Sequence, residues 1–371
     1  MYFRGMSESN QRPPWVPENA GEEFTTSVMP GIEPPQRIDI PGVVRRRMPD
    51  VDELVAGIFS GNRAMISQAI TLVESNAPAH RPMAREILRR IGERPGFSQR
   101  VGISGVPGAG KSTFIEAMGN FLCDAGHRVA VLAVDPSSSL TRGSILGDKT
   151  RMETLSRREE CFIRPSPSGG ALGGVARKTR ETIAVCEAAG FDVVLIETVG
   201  VGQSEIAVRA MVDCFLLVLI AGAGDELQGM KKGIFEIADI LLVNKADGEN
   251  RIRAEATRGE FERVMHYLSP ATEGWAPPVR TVSSMTRAGI PEAWAAVEKY
   301  FAHVQGDGQF DRRRREQAIS WWQSLVELEL RIRFLAEPHV AALAKKLEAS
   351  VLDGSLAPSL AAEELLDEAG F

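Results

Sequence analysis

Residues whose types and spacing could do chemistry concentrate first in Gly105-Val106-Pro107-Gly108-Ala109-Gly110-Lys111-Ser112-Thr113. This stretch satisfies G-x-x-x-x-G-K-[ST]. The apolar run Arg100-Val101-Gly102-Ile103-Ser104 leads in, and the helix-compatible Phe114-Ile115-Glu116-Ala117-Met118 leads out. A strand, a glycine loop and a helix in that order separate a phosphate cradle from an ordinary Gly-rich turn. Glycines let backbone N–H groups converge without a Cβ in the way. The helix N-terminus then adds a positive dipole end where phosphate charge must sit. Lys111 is expected to reach the β- and γ-phosphates, and Ser112 to ligate Mg²⁺. The spacing predicts a nucleoside triphosphate site.

A second pattern reads the base. Asn244-Lys245-Ala246-Asp247 follows an apolar run about 135 residues beyond the phosphate loop, and in that context N-K-x-D points to guanine. The Asp247 carboxylate would accept from guanine N1–H and the exocyclic amine, donors that adenine does not offer in that geometry. A site built for such bonds rejects the analogue lacking them. Asn244 is expected to fix the loop and meet the base edge, with the Lys245 stem along the purine face. Ser283-Ser284-Met285 closes the last expected strand, where it could offer a backbone N–H to guanine O6.

Three acids compete for the metal side. Asp135 ends the run Val129-Ala130-Val131-Leu132-Ala133-Val134, where it could hold Mg²⁺ or a metal-bound water. Glu197 begins Glu197-Thr198-Val199-Gly200, a variant of D-x-x-G in which the Gly200 N–H could sense the γ-phosphate. Asp148 lies in the polar stretch Gly147-Asp148-Lys149-Thr150-Arg151. The competing reading for any one of them is a cap or turn acid, and it weighs most for Asp148. A fast-hydrolysing small GTPase carries a water-orienting Gln directly after the motif glycine. Here that position is Val201 and Gln203 comes two residues later, so slow intrinsic hydrolysis is expected.

These motifs need an α/β scaffold with a mostly parallel sheet. Near-continuous Val/Ile/Leu runs at 100–104, 128–134, 193–197, 214–220, 240–244 and 279–283 read as strands buried on both faces. Residues 1–47 carry seven prolines between Pro13 and Pro41 and read as a disordered or loosely docked leader. Residues 48–96 read as a helical subdomain, with Leu54, Ile58, Ile66, Ile70 and Val73 at helical spacings. The nucleotide domain is expected over 97–305. A helical arm follows over 306–371, where Ala318, Trp321, Trp322, Leu325, Leu328 and Leu330 form an apolar series. An arm too small for its own core should dock on this chain or on a second copy.

With 371 residues, one sizeable α/β core plus extensions is the expectation. A net charge of −6 argues against general nucleic-acid affinity. The run Arg312-Arg313-Arg314-Arg315 is expected to be the solvated start of a helix. Four scattered cysteines and five scattered histidines show no C-x-x-C spacing and no zinc or nickel constellation. The expected setting is therefore reducing and cytoplasmic. The apolar run 214–224 is too short for a membrane span. Met1 to Gly5 could be a cloning remnant or a genuine start, and neither a signal peptide nor a transit peptide is expected.

Several longer stretches resemble the MeaB/ArgK/MMAA family of GTPases. They are Leu132-Ala133-Val134-Asp135-Pro136-Ser137-Ser138, Gly143-Ser144-Ile145-Leu146-Gly147-Asp148-Lys149-Thr150-Arg151-Met152 and Ile163-Arg164-Pro165-Ser166-Pro167. Glu197-Thr198-Val199-Gly200-Val201-Gly202-Gln203-Ser204-Glu205 and Gly224-Asp225-Glu226-Leu227-Gln228-Gly229 belong with them. The resemblance runs from about residue 50 to the C-terminus. It implies a fold of the signal-recognition/MinD-like P-loop class, GTP and GDP as nucleotides, and Mg²⁺ held near Ser112, Asp135, Asp148 and Glu197. It also implies catalytic roles for Lys111 and those three acids, and a homodimer formed through the C-terminal arm. The implied partner is an adenosylcobalamin-dependent acyl-CoA mutase, methylmalonyl-CoA mutase or a close relative, whose cofactor loading, protection and reactivation it would gate. Residues 224–231 match a coupling loop in which Asp225, Glu226, Gln228 and Lys231 are the polar members. Ser139-Leu140-Thr141-Arg142 and Trp321-Trp322 depart from the common family pattern, which leaves the client open. A nickel-insertion GTPase, an ArgK-like transport kinase and a purely nucleotide-gated interaction module are the competing readings.

Overall fold

The computed structural model describes residues 47–94, 96–134, 152–165, 172–198, 204–221, 233–368 and 370. Among them, seven strands form one sheet: β1 (Gln99–Gly105), β2 (Val129–Val134), β3 (Cys161–Arg164), β4 (Val193–Thr198), β5 (Cys214–Ile220), β6 (Ile240–Asn244) and β7 (Val279–Thr281). Their order is β3-β2-β4-β1-β5-β6-β7, and every adjacent pair is parallel. Parallel pairing requires crossovers, and helices supply them. The helices are α1 (Val51–Phe59), α2 (Arg63–Val73), α3 (Arg81–Gly92), α4 (Lys111–Asp124), α5 (Glu153–Ser156), α6 (Leu172–Ala188) and α7 (Ser204–Arg209). They continue with α8 (Gly233–Glu236), α9 (Arg251–His266), α10 (Ile290–Gly306), α11 (Gln309–Ala336), α12 (Pro338–Leu352) and α13 (Pro358–Glu368).

Alternation along each strand divides the core between the two faces of the sheet. On β4, Val194 and Ile196 join one cluster, while Val193 and Leu195 join the other. The first cluster takes in Leu54, Ile58, Ile66, Ile70, Ile87 and Ile91 from α1 to α3, together with Cys186 and Phe191. The second takes in Phe114 and Met118 of α4 and Trp294, Val297 and Tyr300 of α10. The amino-terminal helices thus share the core of one sheet face. A reciprocal capping box starts them, with Asp50 accepting from the Glu53 N–H and Glu53 from the Asp50 N–H, both at 2.9 Å. At the other end Glu74 pairs with Arg164 of β3 and accepts from Thr182 of α6 at 3.2 Å.

Two sequence expectations need correction. Strand β3 was absent from the expected set, because four residues between a polar turn and Pro165 carry no readable period. Strand β7 stops at Thr281, short of Ser283, because the Ser283 N–H turns back to the Ala288 carbonyl at 2.9 Å.

The arginine run is also not simply a solvated helix start. Arg312 and Arg315 are exposed, but Arg314 reaches inward to both Asp213 oxygens at 2.9 and 2.8 Å. Arg313 donates to the Asp213 carbonyl at 2.8 Å and to the Thr272 hydroxyl at 2.8 Å. The Asp213 side chain is 2 % exposed and also accepts from the Arg100 N–H at 2.9 Å. Removing one partner of so buried a pair would cost about 3–5 kcal/mol. The root of the 28-residue α11 is thereby fastened to the start of β5.

Candidate functional site

The functional side chains gather at the carboxyl ends of the strands, where ligands of open parallel sheets sit. Strand β1 delivers the phosphate loop. Gly105 has φ 151°, and a Cβ there would stand 2.0 Å from the Val218 carbonyl oxygen of the neighbouring strand. Gly110 has φ 80°, and a Cβ would approach Asn244 Nδ2 to 2.9 Å. Only glycine fits either position without displacement. Val106 and Ala109 are buried, Pro107 and Gly108 are exposed, and the Ala109 N–H returns to the Val106 carbonyl at 3.1 Å.

Helix α4 begins at Lys111 with no side-chain cap at Gly110. Its first-turn N–H groups, including those of Ser112 and Thr113, lack intrahelical acceptors, which suits an anion. Lys111 is 9 % exposed and its Nζ donates to the Gly105 and Val106 carbonyls at 2.7 and 3.2 Å, so the ammonium lies across the loop. Burial holds it below its ordinary pKa, while the charges of Glu197 and Glu205 act in the opposite sense.

Strand β4 lies between β1 and β2, which places Glu197 level with Ile103 on one side and Ala133 on the other. Its carboxylate accepts from Ser112 Oγ at 2.8 Å and is 7 % exposed. A hydroxyl and a carboxylate side by side at a phosphate loop form the hard oxygen donor set that Mg²⁺ prefers. Below them, the buried Thr198 hydroxyl donates to Ser104 Oγ at 2.9 Å, tying β4 to β1.

The segment expected to read the base is fastened to the phosphate loop. Asn244, 1 % exposed, donates from Nδ2 to the Ala109 carbonyl at 2.8 Å. Its Oδ1 accepts from the Ser284 N–H at 3.2 Å and from the Ser284 hydroxyl at 2.9 Å. Lys245 is exposed and holds φ 60°, a left-handed backbone uncommon for a residue with a Cβ. Asp247 Oδ2 accepts from Ser283 Oγ at 2.5 Å, and that hydroxyl accepts from the Thr286 N–H at 3.1 Å. Met285 is 79 % exposed at the tip of this turn. A cavity of about 710 Å³ opens beside Asp247 and Ser283, with Arg251, Arg258 and Arg280 on its walls.

The structure therefore brings together Lys111, Ser112 and Glu197 at one end and Asn244, Asp247, Ser283 and Ser284 at the other, with Ala109 as the link. Asp135, Asp148, Gly200, Asp225, Glu226, Gln228 and Lys231 lie outside the described residues. Glu205 had no role in the sequence reading. It is 5 % exposed on α7, and its charge acts on Lys111. Its signal in the sequence is its place as the closing acid of the stretch Glu197 to Glu205.

The model of the family described as "Methylmalonyl Co-A mutase-associated GTPase MeaB" matches residues 66–339. The chain belongs to the MeaB family. It is similar to a putative GTPase of Caulobacter vibrioides, at 52 % identity over 87 % of this chain and 98 % of that one. It is likewise similar to the mouse "Methylmalonic aciduria type A homolog, mitochondrial", at 43 % identity over 85 % of this chain and 79 % of the relative. Among solved structures, a crystal structure of an "LAO/AO transport system kinase" superposes with a TM-score of 0.68 at 36 % identity, covering 85 % of this chain and 96 % of the other. As a MeaB-family member the protein is a GTPase with a P-loop fold and binds guanine nucleotide. Among the described residues, no helix is long and apolar enough to cross a membrane.

Proposed function

We propose that this MeaB-family GTPase is a cytoplasmic G-protein chaperone of an adenosylcobalamin-dependent acyl-CoA mutase, using GTP hydrolysis to gate loading, protection and reactivation of the mutase cofactor. The observation that carries this reading is the match over residues 66–339 to a family described by its association with methylmalonyl-CoA mutase. The mouse relative named for methylmalonic aciduria points the same way. The division into a helical subdomain at 48–96, a GTPase domain at 97–305 and an arm at 306–371 belongs to the same proposal.

In this reading Asp247 accepts from the guanine edge while Asn244 holds the base loop to the phosphate loop. The Lys111 ammonium and the free N–H groups of α4 meet the phosphates. Ser112, Glu197, Asp135 and Asp148 would hold Mg²⁺, which supplies charge neutralisation at the phosphates when bound. Position 201 is Val, so water positioning is incomplete in the free protein, and the mutase contributes through Asp225, Glu226, Gln228 and Lys231. The arm pairs two copies. Ile319, Trp322, Val326 and Leu330 recur at spacings of three and four on α11 and are all exposed, which suits an interface between copies.

Affinity capture of the tagged full chain from its native cell tests the partner. A B12-dependent acyl-CoA mutase recovered in a nucleotide-dependent manner is the expected result. Capture with GTP analogue and with GDP that recovers no such enzyme would count against the proposal.

A further inference from the structure

The short helix α7 is held at both ends, and its far end is held by the arm. Its first turn carries Glu205, the buried acid whose charge acts on Lys111. Its last residue, Arg209, pairs through both guanidinium nitrogens with Asp239, at 2.5 and 3.2 Å. The carbonyls at a helix C-terminus have no intrahelical donor and need partners. Here they come from elsewhere in the chain. Gln317 of α11 donates through Nε2 to the carbonyl of Arg209, the last helical residue, at 3.4 Å, and to that of Val212, three residues on, at 2.8 Å, while Arg180 of α6 donates to the Ala210 carbonyl just past the helix at 2.6 Å.

These two side chains are themselves joined. Arg180 donates to the Gln317 backbone carbonyl at 3.0 Å, and its guanidinium carbon stands 5.5 Å from the centre of the Trp321 ring. Among the described residues, its partners are two neutral carbonyls and that ring, with no carboxylate. Burial and the nearby Arg100 charge bring its pKa down to about 10. The side-chain oxygen of Gln317 and the indole N–H of Trp321 are buried here without a partner among the described residues. Polar groups left so are rare in folded proteins and mark places where an alternative arrangement has something to gain.

We propose that Arg180 and Gln317 are positioning residues for GTP hydrolysis, fastening the end of α7 to the arm so that α7, whose Val208 lies over Gly102 of the strand that delivers the phosphate loop, and α11 move as one unit. A γ-phosphate at Lys111 adds negative charge at the end of β1, the strand against which α7 rests. Any displacement of α7 is then passed through the Ala210 and Val212 carbonyls to the root of α11. The inference uses only the GTPase activity and does not depend on which partner the arm or the coupling loop meets.

The test is made on the full-length chain with GDP and with a non-hydrolysable GTP analogue. Wild-type protein is expected to show a difference in tryptophan emission between the two states, and Trp321→Phe to remove it. Gln317→Ala retains Trp321 but is expected to lose that difference, with kcat for GTP lowered at least about fivefold and GDP affinity held within about twofold. Arg180→Lys, which keeps the charge but replaces the two separate guanidinium nitrogens with one ammonium on a shorter reach, is expected to fall between, and it stands in if Gln317→Ala is poorly folded. A merely structural pair would lower melting temperature without separating kcat from GDP affinity. Emission that does not differ between states in wild type, or that differs equally in Gln317→Ala, would overturn the proposal.

Discussion

Ser112 Oγ donates to Glu197 Oε1 across 2.8 Å, joining the first turn of α4 to the end of β4. The helix after the phosphate loop and the strand bearing the acid are thus locked in one geometry by two groups that can both ligate a hard cation.

From this pairing follows a split between binding and turnover. Glu197→Ala is expected to lower the rate of phosphate release at least about 100-fold while GDP affinity changes by less than about fivefold, since its effect falls on charge developing at the phosphates. Asp135→Ala and Asp148→Ala should show the same split. Lys111→Ala should instead lower GDP affinity itself, because the ammonium is the fixed positive charge at the loop. Titration calorimetry beside a phosphate-release assay separates the two patterns, and normal hydrolysis by Glu197→Ala would remove it from the site.

Asp247 sits in a turn where Ser283 already donates to one of its oxygens. Replacement by Ala removes the acceptor for two guanine donors, and preference for GDP over ADP is expected to fall by at least about 100-fold. Competition binding measures it. A variant that keeps wild-type discrimination would place base recognition elsewhere.

The exposed stripe on α11 gives a third expectation. Trp322→Glu and Leu330→Glu introduce charge at positions 63 % and 58 % exposed in the single chain. Each should convert a dimer into a folded monomer with basal turnover retained, as read by light scattering. A wild-type protein that is monomeric at micromolar concentration would refute the pairing.

The candidate nucleotide motifs were legible because each is local in the chain. Gly105 to Thr113 and Asn244 to Asp247 are contiguous, and each follows a buried strand that announces itself as an apolar run. What stayed hidden depends on distant partners. The bond from Asn244 to Ala109 spans 135 residues, and those from Asn244 to Ser284 span 40. Nothing in the run Arg312 to Arg315 shows that its middle pair meets Asp213, about a hundred residues away. A charge run reads as solvated unless the opposing buried acid is known. Strand β3 was missed because four residues are too few to display a period, and its pairing with β2 is what makes it a strand. The contact of Arg180 with Gln317 and Ala210 was beyond reach for the same reason: carbonyl acceptors leave no mark in the sequence.

The central claim, that this GTPase serves a B12-dependent acyl-CoA mutase, is tested most directly by steady-state phosphate release with and without that enzyme. The expected result is a rise in GTP turnover of at least about tenfold, equivalent to roughly 1.4 kcal/mol off the barrier. Asp225→Ala and Lys231→Ala should lose the rise while keeping basal turnover and nucleotide affinity. Turnover that is the same with and without the mutase would contradict the claim, and stimulation of both variants at the wild-type level would move the coupling to another surface.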